Sequence, residues 1–197
     1  HPIAVKNSQN LVKYLYDFYQ KHANYRGGKY RPAYWTMTNH AGQGKLCGAL
    51  PNGRKAGQVF ASGITPVSQE TDSLTACLQA VGGLNSLHIP GGEAFNLKYP
   101  EIASKDDLQK FSQAVDAYFA CGGMHIQFNI MSYEMLIDAR KHPEKYPDLL
   151  VRVSGYSAYF KDLNDAMKDE IITRTAYSLR DGHAIPLPGV VTESSSV

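Results

Sequence analysis

Residues 150–160 of the chain read LVRVSGYSAYF, a short apolar run that breaks at a serine and a glycine. The first part of this run is typical of a strand, because it is short and rich in β-branched and apolar residues. Ser154 and Gly155 then indicate a turn, since glycine reaches a positive φ without steric cost. On geometry alone, Gly155 is interpreted as an ordinary turn glycine between a strand and a loop.

The segments around this run predict further helices and strands. Ser104 and Asp107 form a pair that resembles a capping box and begins the best-defined helix, which is predicted to end at residue 121. Alternating apolar and polar residues predict a strand over residues 124–130. Its polar members are His125, Gln127 and Asn129. A short helix that begins after Ser132 and a second helix over residues 165–175 follow.

The N-terminal half predicts fewer regular elements. A helix is predicted over residues 8–23, with Ser8 as its N-cap. Its apolar stripe consists of Leu11, Leu15, Phe18 and His22. Two strands are predicted, over residues 33–38 and 93–99. One face of the first strand consists of Ala33, Trp35 and Met37. Residues 40–92 contain many glycines but also many apolar residues, so we expect this region to be packed.

The composition narrows the class of protein. The chain has 197 residues, of which 43% are hydrophobic and 19% charged, and its formal net charge is +2. These values exclude a disordered chain, collagen and a coiled coil, and they leave a globular domain or part of a larger one. The predicted helices and strands indicate a mixed α/β class. The basic residues are scattered and form no basic face, so no nucleic-acid partner is expected.

The cysteines and the hydropathy pattern indicate the compartment. Cys47, Cys77 and Cys121 are odd in number and lie far apart, which argues against a disulfide framework and against a zinc knuckle. We therefore expect a reducing cytoplasm. No run of about 18 apolar residues occurs, so no membrane span is expected. The chain begins with His1 rather than methionine, and we interpret this start as a cut or processed end.

Several common functional motifs do not match this sequence, because their spacing differs or a required residue is missing. Residues 42–48 read GQGKLCG, which has one residue too many for a dinucleotide fingerprint and lacks the hydroxyl of a P-loop. The seven histidines include no HExxH pair, so no metal is expected to bind this chain. His40 and His125 are interpreted as hydrogen-bonded core or pocket histidines. A GxSxG nucleophile elbow is absent from the sequence.

Taken together, ordered blocks of the sequence resemble the C-terminal region of glycyl radical enzymes. This family includes pyruvate formate-lyase, glycerol and choline lyases, arylacetate decarboxylases and the hydrocarbon synthases that add to fumarate. The resemblance runs from about residue 27 to residue 175. Its blocks are GGKYRP (27–32), GALPNGRKAG (48–57), GGMHIQFN (122–129), ARKHPEKYPDLL (139–150), RVSGYSAYF (152–160) and DEIITRT (169–175).

The resemblance implies a fold and a domain organisation. Residues 1–197 would be the C-terminal segment of one larger catalytic domain, a ten-stranded β/α barrel of the pyruvate formate-lyase type. This segment would supply the last strands, the radical loop and the closing helix. The glycyl radical region would cover about residues 120–178, and residues 180–197 would form a loose tail.

The resemblance also implies that Gly155 is the catalytic residue, because it matches the glycine that stores a radical on its Cα. A separate radical SAM activase, which carries an iron–sulfur cluster, would install the radical. The loop would be buried in the resting enzyme and would swing out for activation. A cysteine in the upstream remainder of the catalytic subunit would then receive the radical, and Cys47, Cys77 and Cys121 are interpreted as structural.

The reaction is inferred from the residues that match the pocket strand. Ala33, Trp35 and Met37 either form barrel core or line a substrate pocket, and in a pocket they would favour a hydrophobic substrate. The stretch from residues 37–68 to the tail at residues 178–188 looks most like alkylsuccinate synthases, which add a hydrocarbon C–H bond to fumarate and can have small accessory subunits. Arylacetate decarboxylases, other glycyl radical lyases or dehydratases, and stand-alone repair subunits are the alternatives. An interaction module with an inert turn at Gly155 is a further alternative.

Overall fold

A computed structural model describes residues 2–66, 73–99 and 101–173 of the chain. Within these ranges the fold is a mixture of helices and short strands. The helices are α1 (Pro2–Gln20), α2 (Asn39–Leu46), α3 (Leu74–Gly82), α4 (Lys105–Ala120), α5 (Tyr133–Lys141) and α6 (Asp165–Thr173). The strands are β1 (Asn96–Tyr99), β2 (Gln127–Ile130), β3 (Leu150–Arg152) and β4 (Ser157–Tyr159). Short 3-10 helices cover Ser86–His88, Pro143–Lys145 and Phe160–Asp162.

The described strands form two separate two-stranded sheets. β1 and β2 are parallel, with Asn96 opposite Gln127, and α4 makes the crossover between them. β3 and β4 are antiparallel, with Arg152 opposite Ser157, and they form a hairpin. A ten-stranded barrel is therefore not visible in this part of the protein, although the α/β class is as predicted.

Two hydrophobic cores support these sheets. The first lies between α3, α4 and the parallel sheet, and the second lies between α2, α5, α6 and the hairpin. The first consists of Leu74, Cys77, Leu78, Val81, Phe95, Leu97, Tyr99 and Tyr118. The second consists of Ala41, Leu136, Ala139, Val151, Val153, Phe160, Met167, Ile171 and Ile172. Each sheet thus has one core of its own, and the two sheets meet where β2 passes β3.

The capped helices agree with the predictions. Ser104 Oγ accepts a hydrogen bond from the N–H of Asp107 at 3.1 Å, and Ser132 Oγ accepts one from Met135 at 3.1 Å. Each bond satisfies an N–H group that the first helical turn leaves free. α6 begins at Asp165 as predicted, whereas its predicted end at Thr175 lies outside the described residues, as does the tail 180–197.

Two elements of the N-terminal half differ from the predictions. α1 begins at Pro2 rather than after Ser8, whose hydroxyl instead bonds Ala4 O inside the helix at 2.9 Å. Its buried residue is Val12, whereas Leu11 is 58% exposed. The predicted strand over 33–38 reduces to a single bridge between Tyr34 and Glu93. The predicted strand over 93–99 is regular only from Asn96 onward.

In the described residues of the region 40–92, the parts that pack into the cores belong mainly to α2 and α3, which the sequence pattern did not indicate. α2 fits closely against the chain that follows it, since a methyl group at Gly44 would lie 2.5 Å from Gln58 O. α3 contributes Cys77 and Leu78 to the first core. The sequence pattern did not predict α2 because two of its eight residues are glycine, which is unfavourable inside a helix.

Candidate functional site

Gly155 lies at the tip of the β3–β4 hairpin. The N–H of Val153 donates to Tyr156 O at 2.9 Å, so Ser154 and Gly155 form a tight two-residue turn. The φ of Gly155 is +81°, the left-handed region that side chains other than glycine rarely adopt. Val151 and Val153 are buried on the inner side of the hairpin, at 1% and 0% exposure. The hydrophobic core thus fixes the hairpin and leaves its tip at the surface.

Side-chain amides of β2 hold the hairpin in place. Gln127 Oε1 accepts hydrogen bonds from Gly155 N at 3.2 Å and from Arg152 Nε at 2.8 Å. Asn129 pairs with the backbone of Arg152, accepting from its N–H at 2.7 Å and donating to its carbonyl at 2.8 Å. β2 therefore contacts the hairpin through two side chains on one of its faces, in place of a strand-to-strand ladder.

Gly155 itself is exposed in this chain, in contrast to the burial expected for the radical loop. The described fold places the turn at its outer surface, where Trp35 lies on the side to which a Cβ of Gly155 would point. A methyl group built at Gly155 would lie 3.6 Å from Cε3 and Cζ3 of Trp35, an ordinary contact distance. The structure thus brings together Gly155 and Trp35, one of the residues predicted for the pocket.

The three predicted pocket residues lie at the surface of this chain. Ala33 is exposed, Trp35 is 60% exposed and Met37 is 54% exposed, and their assignment to barrel core or to a pocket stays a prediction. Met37 also has a φ of +48°, which interrupts an extended strand. Of the three residues, Trp35 lies beside the glycine turn, and the role of all three in a substrate pocket stays a prediction.

His125 continues the hydrogen-bonded network beyond Gln127. Its Nε2 lies 2.8 Å from Gln127 Nε2, while its Nδ1 is buried and has no hydrogen-bond partner among the described residues. Burial lowers the pKa of His125, and the positive charge of Arg152 lowers it further. The neutral imidazole is therefore the favoured form next to Gln127.

A buried carboxyl group lies behind His125. Tyr118 donates its hydroxyl to His125 O at 2.9 Å and lies 3.2 Å from Glu93 Oε1. Burial raises the pKa of Glu93, and hydrogen bonds from Met124, Tyr118 and His125 oppose part of that effect. Burial also raises the pKa of Tyr118, with a further contribution from the charge of Glu93. Glu93 thus ties β1, α4 and the start of β2 together below the hairpin.

His40 agrees with its interpretation as a hydrogen-bonded core histidine. It is 1% exposed, and its Nδ1 lies 3.2 Å from Thr36 Oγ1. Its Nε2 lies 3.8 Å from Glu170 Oε2 in α6. This pair joins α2 to α6 in the second core and lies outside the network around Gly155.

The cysteines occupy different environments. Cys77 is buried in the first core, Cys47 is half-buried and Cys121 is exposed at the end of α4. Their interpretation as structural residues stays a prediction. In the described part of the chain, no three His, Cys, Asp or Glu side chains lie close enough to hold a metal ion. None of the described helices is both long and apolar enough to cross a membrane.

Sequence reasoning missed the roles of Gln127 and Asn129. Both were recognised as polar members of the strand over 124–130, together with His125. Three polar residues at alternate positions of a strand share one face, and that face needs polar partners when it is buried. The signal for a polar network was therefore present, but its partners on β3 and in the turn come from the tertiary structure.

Comparison with known proteins finds a family model and several relatives that match this chain. A family model described as "Glycine radical" matches residues 60–161, which include β1, β2 and the hairpin. The trans-4-hydroxy-L-proline dehydratase of Clostridioides difficile is 36% identical over 152 residues, covering 76% of this chain and 19% of the relative. The indoleacetate decarboxylase of Tractidigestivibacter scatoligenes is 34% identical over 157 residues, covering 78% of this chain and 18% of the relative.

A solved structure has the same fold. The crystal structure of a glycyl radical enzyme from Archaeoglobus fulgidus superimposes with a TM-score of 0.80 at 31% sequence identity. The match covers 87% of this chain and 22% of the other chain. The chain thus spans about a fifth of the length of each of these proteins.

Proposed function

This chain belongs to the glycyl radical family, and on that premise we propose that Gly155 is the residue that stores the radical. The observation that carries the proposal is the geometry of the turn: Gly155 has a positive φ, lies at the tip of a hairpin and has its amide N–H held by Gln127. The match to the family, over residues 60–161, includes this turn.

The chemistry explains why a glycine is needed at this position. A radical on a backbone Cα is delocalised over the neighbouring amide nitrogen and carbonyl group when these atoms lie in one plane. Glycine lets the carbon flatten because it has no Cβ to clash with the backbone. An alanine at the same φ would be strained by roughly 1–2 kcal/mol, a cost that a core of this size can absorb.

The residues of this chain position the radical centre and leave it accessible. Val151 and Val153 anchor the hairpin in the second core, while Gln127 and Asn129 hold its outer half. The activase, a radical SAM enzyme, would remove one hydrogen atom from the exposed Cα of Gly155. A cysteine thiol of the complete catalytic subunit would later return a hydrogen atom to that carbon, and its sulfur would then hold the unpaired electron.

For the substrate, we propose addition of a hydrocarbon C–H bond to fumarate, as in alkylsuccinate synthases, in an anaerobic cytoplasm. The thiyl radical would take a hydrogen atom from an unactivated carbon, the carbon radical would add to fumarate, and the product radical would recover the hydrogen atom. The exposed aromatic ring of Trp35 beside Gly155, together with the apolar side chains predicted for the pocket at Ala33 and Met37, supports a hydrophobic substrate.

A dehydratase or decarboxylase is the second candidate function, and the names of the relatives favour it. These include a hydroxyproline dehydratase and an indoleacetate decarboxylase. Anaerobic incubation of the activated complete protein distinguishes the candidates. Alkylsuccinate formed from an alkane and fumarate supports the first, whereas turnover of trans-4-hydroxy-L-proline or indoleacetate supports the second.

The radical itself is tested by electron paramagnetic resonance. After anaerobic treatment with its activase, the complete protein is expected to show a doublet that arises from the remaining α-hydrogen of Gly155. A Gly155→Ala variant is expected to fold, as judged by its circular dichroism, and to lack the doublet. An unchanged doublet in that variant would place the radical at another residue.

A further inference from the structure

Gln127 is fixed on a rigid element close to the glycine turn. It is the first residue of β2, its N–H donates to Phe95 O at 2.8 Å, and it lies opposite Asn96 of β1. The residue is 8% exposed. Its side chain leaves the parallel sheet and reaches the hairpin, so its terminal amide lies between His125 and Gly155.

The hydrogen-bond donors around this amide determine its orientation. Gly155 N and Arg152 Nε both point at the same terminal atom of Gln127, and neither group can accept a hydrogen bond. That atom must therefore be the oxygen. The amide nitrogen then faces His125 Nε2 at 2.8 Å and donates to it, which requires a neutral His125 with its proton on Nδ1.

The charges around the network favour this arrangement. The guanidinium group of Arg152 donates to Gln127 Oε1 and disfavours a second positive charge on His125. A protonated His125 would direct an N–H group at the NH₂ group of Gln127, and the two donors would repel each other. His125 and Arg152 together thus keep Gln127 Oε1 directed at the amide of Gly155.

We propose that Gln127 is a positioning residue for the radical centre, and that its hydrogen bond to Gly155 N restrains rotation about the N–Cα bond. This inference rests on the proposed function, which assigns the radical to Gly155. At a φ of +81° the p orbital of the nitrogen is nearly perpendicular to the orbital of a flattened Cα, so the restraint keeps most of the unpaired electron on Cα and little of it on the nitrogen. His125 orients Gln127 by accepting from its amide nitrogen.

The inference predicts a change in the spectrum of the radical. In the complete protein, Gln127→Leu removes the hydrogen-bond acceptor and replaces it with an apolar side chain of similar size. Electron paramagnetic resonance of the activated variant, labelled with ¹⁵N-glycine, is expected to show a narrower α-hydrogen splitting and a larger nitrogen coupling than the unaltered protein, because the released amide can rotate toward the plane of the radical. These couplings report the electron distribution in each radical and are independent of how many radicals form.

Two matched variants separate positioning from support of the fold. Gln127→Glu keeps an oxygen acceptor for Gly155 and Arg152, so it is expected to restore the original couplings. Gln9→Leu removes a hydrogen bond of the same kind, from Gln9 Nε2 to Gly83 O at 2.8 Å, but none in the network around Gly155, so it is expected to leave the couplings unchanged.

The outcomes distinguish this inference from the proposed function. Original couplings in Gln127→Leu would overturn the positioning role, while the doublet itself would still support Gly155 as the radical site. A doublet that persists in Gly155→Ala would overturn the proposed function. If Gln127→Leu forms no radical, a radical in both Gln127→Glu and Gln9→Leu supports positioning, whereas its loss in all three variants overturns it.

Discussion

At the residue scale, Gly155 combines a backbone conformation and a hydrogen bond that few other residues could share. Its φ of +81° excludes most side chains, and its N–H group is directed at Gln127 Oε1. Trp35 lies at contact distance from the position that a Cβ would occupy. A radical on this carbon would therefore form in a backbone that is already held in a fixed orientation, without any change in the neighbouring side chains.

Glu93 provides a test of the electrostatics below the hairpin. Burial raises its pKa, so the folded protein binds this proton more tightly than the unfolded chain does. The resulting stability is fully present below the ordinary value of 4.5 and is lost as the pH rises through the raised pKa of Glu93. Glu93→Gln is expected to remove this loss, because the amide keeps an acceptor for Tyr118 but does not ionise.

The measurement is the midpoint of denaturant unfolding over a pH series that begins at about 4 and continues to about 7. The profile of Glu93→Gln should decline less across this window than that of the unaltered protein. Glu101→Gln is the matched control, because Glu101 is exposed. Parallel profiles for Glu93→Gln and the unaltered protein would show that the Glu93 carboxyl does not titrate abnormally.

At the element scale, the β3–β4 hairpin is attached to the rest of the fold in two different ways. Val151 and Val153 pack into the second core, whereas the contact with β2 depends on the amides of Gln127 and Asn129. Because no backbone ladder joins β2 to β3 in the described ranges, the hairpin could move away without the disruption of either sheet. A radical loop that must be reached by an activase would benefit from such an attachment.

Asn129→Ala tests this attachment. The substitution removes two hydrogen bonds to the backbone of Arg152, each worth about 1 kcal/mol, so the hairpin should open more readily by about 1–2 kcal/mol. Amide hydrogen exchange of residues 150–159 is expected to become roughly tenfold faster. Exchange in α4 serves as the internal control and should not change. Equal amide exchange rates of the hairpin in Asn129→Ala and in the unaltered protein would contradict the attachment through Asn129.

The elements also show how far the sequence could predict this fold. α4 and α5 were predicted because Ser104 and Ser132 cap them locally, and a cap depends only on neighbouring residues. The strand over 33–38 was predicted from alternation alone, but the backbone hydrogen bonds of Tyr34 in the described part of the chain go to Gly92 and Ala94. Alternation predicts a strand only if a partner strand is available along its whole length, and the local sequence does not contain that information.

The sequence predicted only part of the candidate site, because the other part depends on contacts between residues that are distant in the sequence. Gly155 could be selected from its motif, whereas its partner Gln127 lies 28 residues away and meets it only in the tertiary structure. The expected burial of the turn was not found in this chain, because burial depends on whatever packs over the hairpin tip. Trp35 was selected as a pocket residue, and its position beside Gly155 is consistent with that prediction.

At the scale of the whole molecule, the two cores are joined close to the glycine turn. Asn129 and Gln127 connect the parallel sheet to the hairpin, and Lys98 of β1 donates to Ile172 O at the end of α6 at 3.2 Å. A cation near the last carbonyl groups of a helix is favourable because it compensates the helix dipole. The parallel sheet thus holds both the hairpin and the last described helix.

The most direct test of the account is the exposure of the activated protein to air. A radical on a backbone Cα reacts with oxygen, and the expected consequence is a break in the chain at that residue. The complete protein is activated anaerobically, exposed to air and analysed by mass spectrometry. We predict that the chain breaks at Gly155 and that Gly155→Ala stays intact under the same treatment. An unbroken chain in the activated protein, or a break at another residue, would contradict the assignment of the radical to Gly155.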